Sequence, residues 1–179
     1  MQNEQNNINH TALLEALKEH KLTVSVAESL TCGMLQDAFG LISGVSEYFA
    51  GGLTAYSLDV KVNQLNVERT HASQVNCVSE QVALEMAQGI RKALSTNCAI
   101  ATTGYAEPSK EHGVTEPFAF VSIILEIKKI PLLTASFKVR YSDICNIPLD
   151  QNNDVRQTMR KGVTAFAINQ FIERLSLLQ

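Results

Sequence analysis

Apolar positions along this chain switch repeatedly between helical and strand spacing, and the switches predict its elements. Leu13, Leu14 and Leu17 recur at helical spacing after Thr11, which predicts a short helix capped by Thr11 and ending near His20. Leu22 to Ala27 alternates Leu, Val and Val with Thr and Ser, a strand pattern. Gly33 to Leu41 returns to helical spacing through Met34, Leu35, Ala38 and Leu41, and Gly40 with Ser43-Gly44 stops it. Tyr48 to Tyr56 reads as a strand in which Gly51 and Gly52 mark a bulge or a close approach of another backbone. Ser57 caps a predicted helix through Val60, Gln64 and Leu65, and Asn66 to Asn76 is polar and predicts a loop. From Ser79, the residues Val82, Met86, Ile90 and Leu94 form the clearest amphipathic helix. Cys98 to Thr103 and Pro117 to Glu126 read as strands separated by a turn-rich loop from Tyr105 to Glu116. Lys128 to Pro131 predicts a turn into a strand over Leu132 to Tyr141, hence a late antiparallel hairpin, and Ser142 to Gln151 reads as irregular. A long helix is predicted from Asn153 to Leu177. Strands alternating with helices, closed by one hairpin, indicate an α/β sandwich over a mixed sheet.

Composition narrows the class without changing that picture. A chain of 179 residues with 45% apolar residues fits a single domain with a buried core. Met1 to Asn9 is rich in Asn and Gln, lacks the basic and apolar regions of a secretory signal, and is expected to fray, leaving residues 10–179 as the domain. No apolar run approaches the ~20 residues of a spanning helix, so no membrane partner is expected. A net charge of −3 with scattered Lys and Arg argues against nucleic-acid binding. The four cysteines, Cys32, Cys77, Cys98 and Cys145, include no C-x-x-C, and the four histidines, His10, His20, His71 and His112, form no metal-binding spacing. Reduced thiols in a cytoplasmic protein, with neither bound metal nor cofactor, are the expectation.

Chemistry concentrates where the predicted strands end, because ligands of such sheets bind beyond the carboxyl ends of parallel strands. Thr23 to Gly33 runs from a strand into a helix start, which gathers backbone N–H groups and favours anions. Three segments finish there: Glu28-Ser29-Leu30-Thr31, Tyr56, and Thr102-Thr103-Gly104, with Lys61 shortly after Tyr56. A serine beside a desolvated lysine and a tyrosine can act as a nucleophile without histidine. The same residues have structural readings. Ser29 or Thr31 can be a helix cap worth ~1 kcal/mol. Lys61 can be a solvated helix lysine, and Tyr56 a core aromatic.

At these residues the chain resembles the CinA C-terminal domain family, the nicotinamide-nucleotide amidohydrolases also called PncC. The family's A-E-S-C-T-G-G stands here as Ala27-Glu28-Ser29-Leu30-Thr31-Cys32-Gly33, and its T-Y-S-N-E-x-K as Ala55-Tyr56-Ser57-Leu58-Asp59-Val60-Lys61. Val78 to Val82 and Glu85-Met86-Ala87 match a further helix signature. The resemblance implies a three-layer α/β/α sandwich around a mixed, mostly parallel sheet, a bacterial origin and a homodimer. It also implies hydrolysis of the carboxamide of nicotinamide mononucleotide to the carboxylate and ammonia, the partner being that small nucleotide. Carried across, Ser29 is the nucleophile, Lys61 its general base and Tyr56 a residue that orients or relays the proton. Backbone N–H groups around Thr31, Cys32 and Gly33 would stabilise an oxyanion or hold ligand. Glu28, Thr103, Gly104 and Arg156 complete the substrate-binding set.

Three departures from the family pattern set a competing expectation, a catalytically silent paralogue that binds a nucleotide or a protein. Cys32 replaces the first glycine of T-G-G and adds a side chain where backbone meets ligand. At a helix start its thiol could also be activated, although no histidine neighbours it in sequence. The family's G-I-A-G-P becomes Gly104-Tyr105-Ala106-Glu107-Pro108, followed by Ser109 and Lys110. If this loop faces a phosphate, Glu107 opposes it, since two unit charges about 4 Å apart repel by about 4 kcal/mol at an effective dielectric of 20. Finally, K-P-V-G-T-V becomes Glu116-Pro117-Phe118-Ala119-Phe120-Val121 without its glycine, and R-x-x-V-R becomes Asn152-Asn153-Asp154-Val155-Arg156, which keeps one arginine.

Overall fold

The computed structural model describes residues 8–127 and 132–177. Five strands, β1 (Val24–Glu28), β2 (Phe49–Thr54), β3 (Cys98–Tyr105), β4 (Phe118–Leu125) and β5 (Leu133–Arg140), form one sheet in the order β2-β1-β3-β4-β5. β1 pairs in parallel with both β2 and β3, whereas β3–β4 and β4–β5 are antiparallel. Four of the five strands therefore run the same way, and the late hairpin is β4–β5. The predicted turn over Lys128 to Pro131 lies outside the described residues.

Alternation along the strands divides the core in two. Val24, Val26, Cys98, Ile100, Val121 and Ile123 face one apolar cluster, and Ala27, Ala99, Ala101 and Ile124 face another. The first is covered by α1 (His10–His20), α2 (Met34–Gly40) and α7 (Val155–Ser176). The second is covered by α3 (Leu58–Leu65), α4 (Arg69–Gln74) and α5 (Glu80–Ala93). A sheet buried on both faces by helices is the three-layer α/β/α sandwich.

Local corrections follow from side chains that caps alone can explain. Asn9, not Thr11, caps α1 by accepting from the Ala12 N–H at 3.0 Å, and Ile8 packs on the core. The segment read as loop, Asn66 to Asn76, contains α4, whose first amides donate to the carboxylate of Glu68. Residues 142–151 hold the end of the short α6 (Tyr141–Ile144) and a 3-10 turn over Leu149–Gln151. Ser57 caps α3 as expected, and Ser79, where the next helix was expected to begin, caps α5.

Two glycines mark close approaches that position the site. At Gly52 on β2 a Cβ would lie 2.5 Å from Val26 Cγ2 and 2.7 Å from the Val26 carbonyl. Gly89 lets α5 meet the end of α3, since a Cβ there would lie 2.1 Å from the Leu65 carbonyl oxygen. α3 carries Lys61, so this contact sets its depth. Gly89→Ala is expected to destabilise the protein by about 1–3 kcal/mol through overpacking against backbone. Urea unfolding measures it, and a midpoint equal to wild type would show that α3 shifts freely.

Candidate active site

Ser29 follows β1 directly, and its N–H donates to the Thr102 carbonyl of β3 at 2.9 Å, which ties the turn to the sheet edge. The turn then passes through Cys32 at φ 48° and Gly33 at φ 96°, two left-handed residues in succession. Cys32 holds a conformation in which glycine is at ease and a side chain is strained by about 1–2 kcal/mol. α2 begins after this turn with Gly33 at its N-cap and no side-chain cap from Ser29 or Thr31. The capping function belongs to Glu28. Its buried carboxylate accepts from the N–H groups of Gly33, Leu35 and Gln36 at 2.9, 3.0 and 3.0 Å. A carboxylate at a helix N-terminus meets unsatisfied donors and the positive dipole end together.

Lys61 is a second buried ionisable group beside this turn. It lies on α3 with 1% of its surface exposed, and Nζ donates to Ser29 Oγ at 3.0 Å, the Ala55 carbonyl at 2.7 Å and the Tyr56 carbonyl at 2.9 Å. Burial lowers its pKa, partly countered by the nearby Cys77 sulfur. The two carbonyls fix the amine while the third direction points at Ser29. When Lys61 is neutral its lone pair can accept the Ser29 proton, which is the arrangement of a serine–lysine pair.

Tyr56 is 58% exposed, so it is not a core aromatic. Its carbonyl steadies Lys61, but its hydroxyl accepts from Arg156 Nη2 at 3.2 Å and makes no hydrogen bond to Ser29 or Lys61. Tyr56 thus meets Lys61 through its backbone carbonyl, while its hydroxyl faces Arg156. Arg156, at the start of α7, also forms an ion pair with Glu107 Oε1 at 2.7 Å. The carboxylate in the β3–β4 loop thus lies against the arginine expected to hold an anion.

A cavity of about 540 Å³ opens over these groups, lined among others by Ser29, Tyr56, Lys61, Cys77, Thr103, Gly104, Glu107 and Arg156. That size suits a small-molecule ligand. Glu28, Thr31, Cys32 and Gly33, expected to bind ligand, are not among the residues that line it. Thr31 instead shares a 2.8 Å hydrogen bond with Thr102, and the Gly33 amide is spent on Glu28.

Other groups at the site carried little or no signal in the sequence. Arg160 lies one helical turn after Arg156 and donates to the carbonyls of Leu30 and Thr31 at 3.1 and 2.9 Å, bracing the turn from the far side of Glu28. Spacing of four on a helix was its only clue. Asn76 and Cys77 are both left-handed, at φ 48° and 60°, and bring the Cys77 thiol to the cavity. Burial pushes that thiol's pKa up and Lys61 pulls it down. Asn76 Nδ2 reaches the Tyr105 hydroxyl at 3.0 Å and His112 Nε2 at 3.1 Å, a cluster assembled from two loops.

The CinA C-terminal domain model matches residues 6–143. The chain belongs to the CinA C-terminal domain family. A CinA-like protein of Flavobacterium psychrophilum is 44% identical over 94 residues, 52% of this chain and 22% of that protein. Another, from Dictyoglomus thermophilum, is 36% identical over 117 residues, 65% of this chain and 28% of that protein. The matched region thus spans about a quarter of the length of these curated relatives. The fold is shared with competence damage-inducible protein A from Klebsiella pneumoniae, at a TM-score of 0.80 and 22% identity, covering 97% of this chain and 100% of that one. A competence/damage inducible protein from Agrobacterium tumefaciens superposes at a TM-score of 0.71 with 25% identity, over 97% of each chain. Among the described residues no helix is long and apolar enough to cross a membrane.

Glu28→Ala is expected to destabilise the protein by about 1–3 kcal/mol, since three backbone donors lose a buried acceptor. Hydrogen exchange should accelerate most at Gly33, Leu35 and Gln36. Unchanged protection there would remove Glu28 from its capping role.

Proposed function

We propose that this protein is an amidohydrolase that cleaves the carboxamide of a nicotinamide nucleotide or nucleoside, as the family resemblance implies for nicotinamide mononucleotide. The observation that carries this reading is the 3.0 Å contact between Lys61 Nζ and Ser29 Oγ in the wall of a ligand-sized cavity. A lysine extended into solvent would have favoured the silent paralogue. Lys61 is instead buried and held by two carbonyls, an arrangement that a binding module does not require.

In the proposed reaction neutral Lys61 takes the Ser29 proton while Oγ bonds to the amide carbon. The tetrahedral intermediate collapses by breaking the C–N bond, and Lys61 returns the proton to the departing ammonia. Water, deprotonated by Lys61, then adds to the ester and releases the carboxylate and Ser29. Action as a homodimer in the cytoplasm and the working of residues 10–179 as one domain belong to the same reading, on the strength of the resemblance.

Purified protein is expected to release ammonia from nicotinamide mononucleotide or from nicotinamide riboside, and Ser29→Ala to abolish it. No release from either substrate, or release unchanged in Ser29→Ala, would sink the proposal. Lys61→Ala should lower kcat by about 10²–10⁴-fold, the usual contribution of a general base. The pH dependence has a definite sign. Protonated Lys61 has no lone pair, so kcat/KM should rise with pH, and because burial lowers its pKa the midpoint should fall below the ~10.4 of an ordinary lysine. A profile flat from pH 6 to 10 would exclude Lys61 as the base, on the order-of-magnitude range over which a perturbed lysine titrates.

A further inference from the structure

We propose that Glu107 restricts this site to a carboxamide substrate without a phosphate, a nucleoside in preference to its nucleotide. The inference rests on the amidohydrolase reading for the identity of the carboxamide, but its physical basis is the charge inventory of the cavity. Among the lining residues the charged or titratable oxygen- and nitrogen-bearing groups are Lys61, Glu107, His112 and Arg156, with the Tyr56 and Tyr105 hydroxyls beside them. Lys61 has three donors to give and spends them on Ser29, Ala55 and Tyr56, so none is left for a phosphate oxygen. His112 Nε2 faces the Asn76 amide nitrogen, a donor, and so stands as an acceptor. Arg156 is then the cation available to an anionic group, and Glu107 already accepts from its Nη1 at 2.7 Å while Nη2 goes to Tyr56.

The ion pair is neutral as a unit, so a phosphate approaching it gains little net attraction. Displacing Glu107 from Arg156 is not difficult in itself, because both side chains are about half exposed, 46% for Arg156 and 57% for Glu107, and such pairs are weak. The displaced carboxylate remains anchored in the cavity wall, however, as a negative charge beside the incoming one. An N-glycosylated nicotinamide ring carries a positive charge on its nitrogen, and the same carboxylate attracts it. The Tyr56 and Tyr105 rings at the rim add π-faces that suit a cationic ring. One residue therefore lowers affinity for the phosphate and raises it for the pyridinium.

Binding to Ser29→Ala, which cannot turn substrate over, tests this apart from catalysis. Isothermal calorimetry at low salt with nicotinamide riboside and with its 5′-phosphate is expected to show the riboside binding about tenfold tighter or more. Adding Glu107→Gln should bring the two within about threefold, mainly by strengthening the phosphorylated ligand. Arg156→Gln should preserve or widen the preference, because it unmasks Glu107. The proposal is overturned if the phosphorylated ligand binds equally or better with Glu107 present, if Glu107→Gln leaves the ratio unchanged, if Arg156→Gln narrows the preference, or if neither ligand binds. Selective riboside binding without ammonia release from wild type would instead sink the amidohydrolase reading and leave phosphate exclusion standing.

Discussion

The site depends on keeping one lysine amine out of water. Moving a charged ammonium into a protein interior costs several kcal/mol unless it is hydrogen-bonded, and the usual response is a lowered pKa. Here the carbonyls of Ala55 and Tyr56 satisfy two directions of Lys61 Nζ and Ser29 the third, so the amine is tolerated in place while burial lowers its pKa. The surrounding elements serve that placement. Gly89 admits α3 close against α5, β2 delivers the two carbonyls, and β1 delivers Ser29.

Ser29 is held from two sides by opposite charges that never touch the cavity. Glu28 gathers the amides at the start of α2, and Arg160 gathers carbonyls of the same turn from α7. A turn containing two left-handed residues is strained, and such strain persists when neighbouring groups over-determine it. The two clamps supply that determination. They also explain why Cys32 is accommodated: its residue is exposed and outside the cavity, so it strains the backbone without entering the ligand's space.

The other departures from the family pattern are absorbed in different ways. Asn152, where the family has an arginine, donates to the Tyr141 hydroxyl and Thr158 Oγ1, and so ties the approach to α7 into the structure. Glu107 is absorbed functionally, by pairing with Arg156 across the cavity wall. Erosion of a motif need not mean loss of a site; here the serine and lysine keep their contact while the charge at the rim changes.

Much of the fold was legible because periodicity reports which faces are buried. The strands and the long helices over 79–94 and 153–177 follow from it, and capping serines at 57 and 79 mark helix starts through local bonds alone. α4 was missed because its stability comes from Glu68 capping and from burial of Ala72 rather than from an apolar stripe. The location of the site followed from the motif and the ends of parallel strands. Its roles did not. Whether Lys61 is buried or solvated, which amides the Glu28 carboxylate accepts from, whether Tyr56 meets Lys61 through its hydroxyl or its carbonyl, and which anion neutralises Arg156 are all decided by contacts between segments 5 to 100 residues apart. The local pattern by itself determined which residues would gather at one sheet edge; only tertiary packing decided which of them lost their water, because burial is set by contacts between segments distant in sequence.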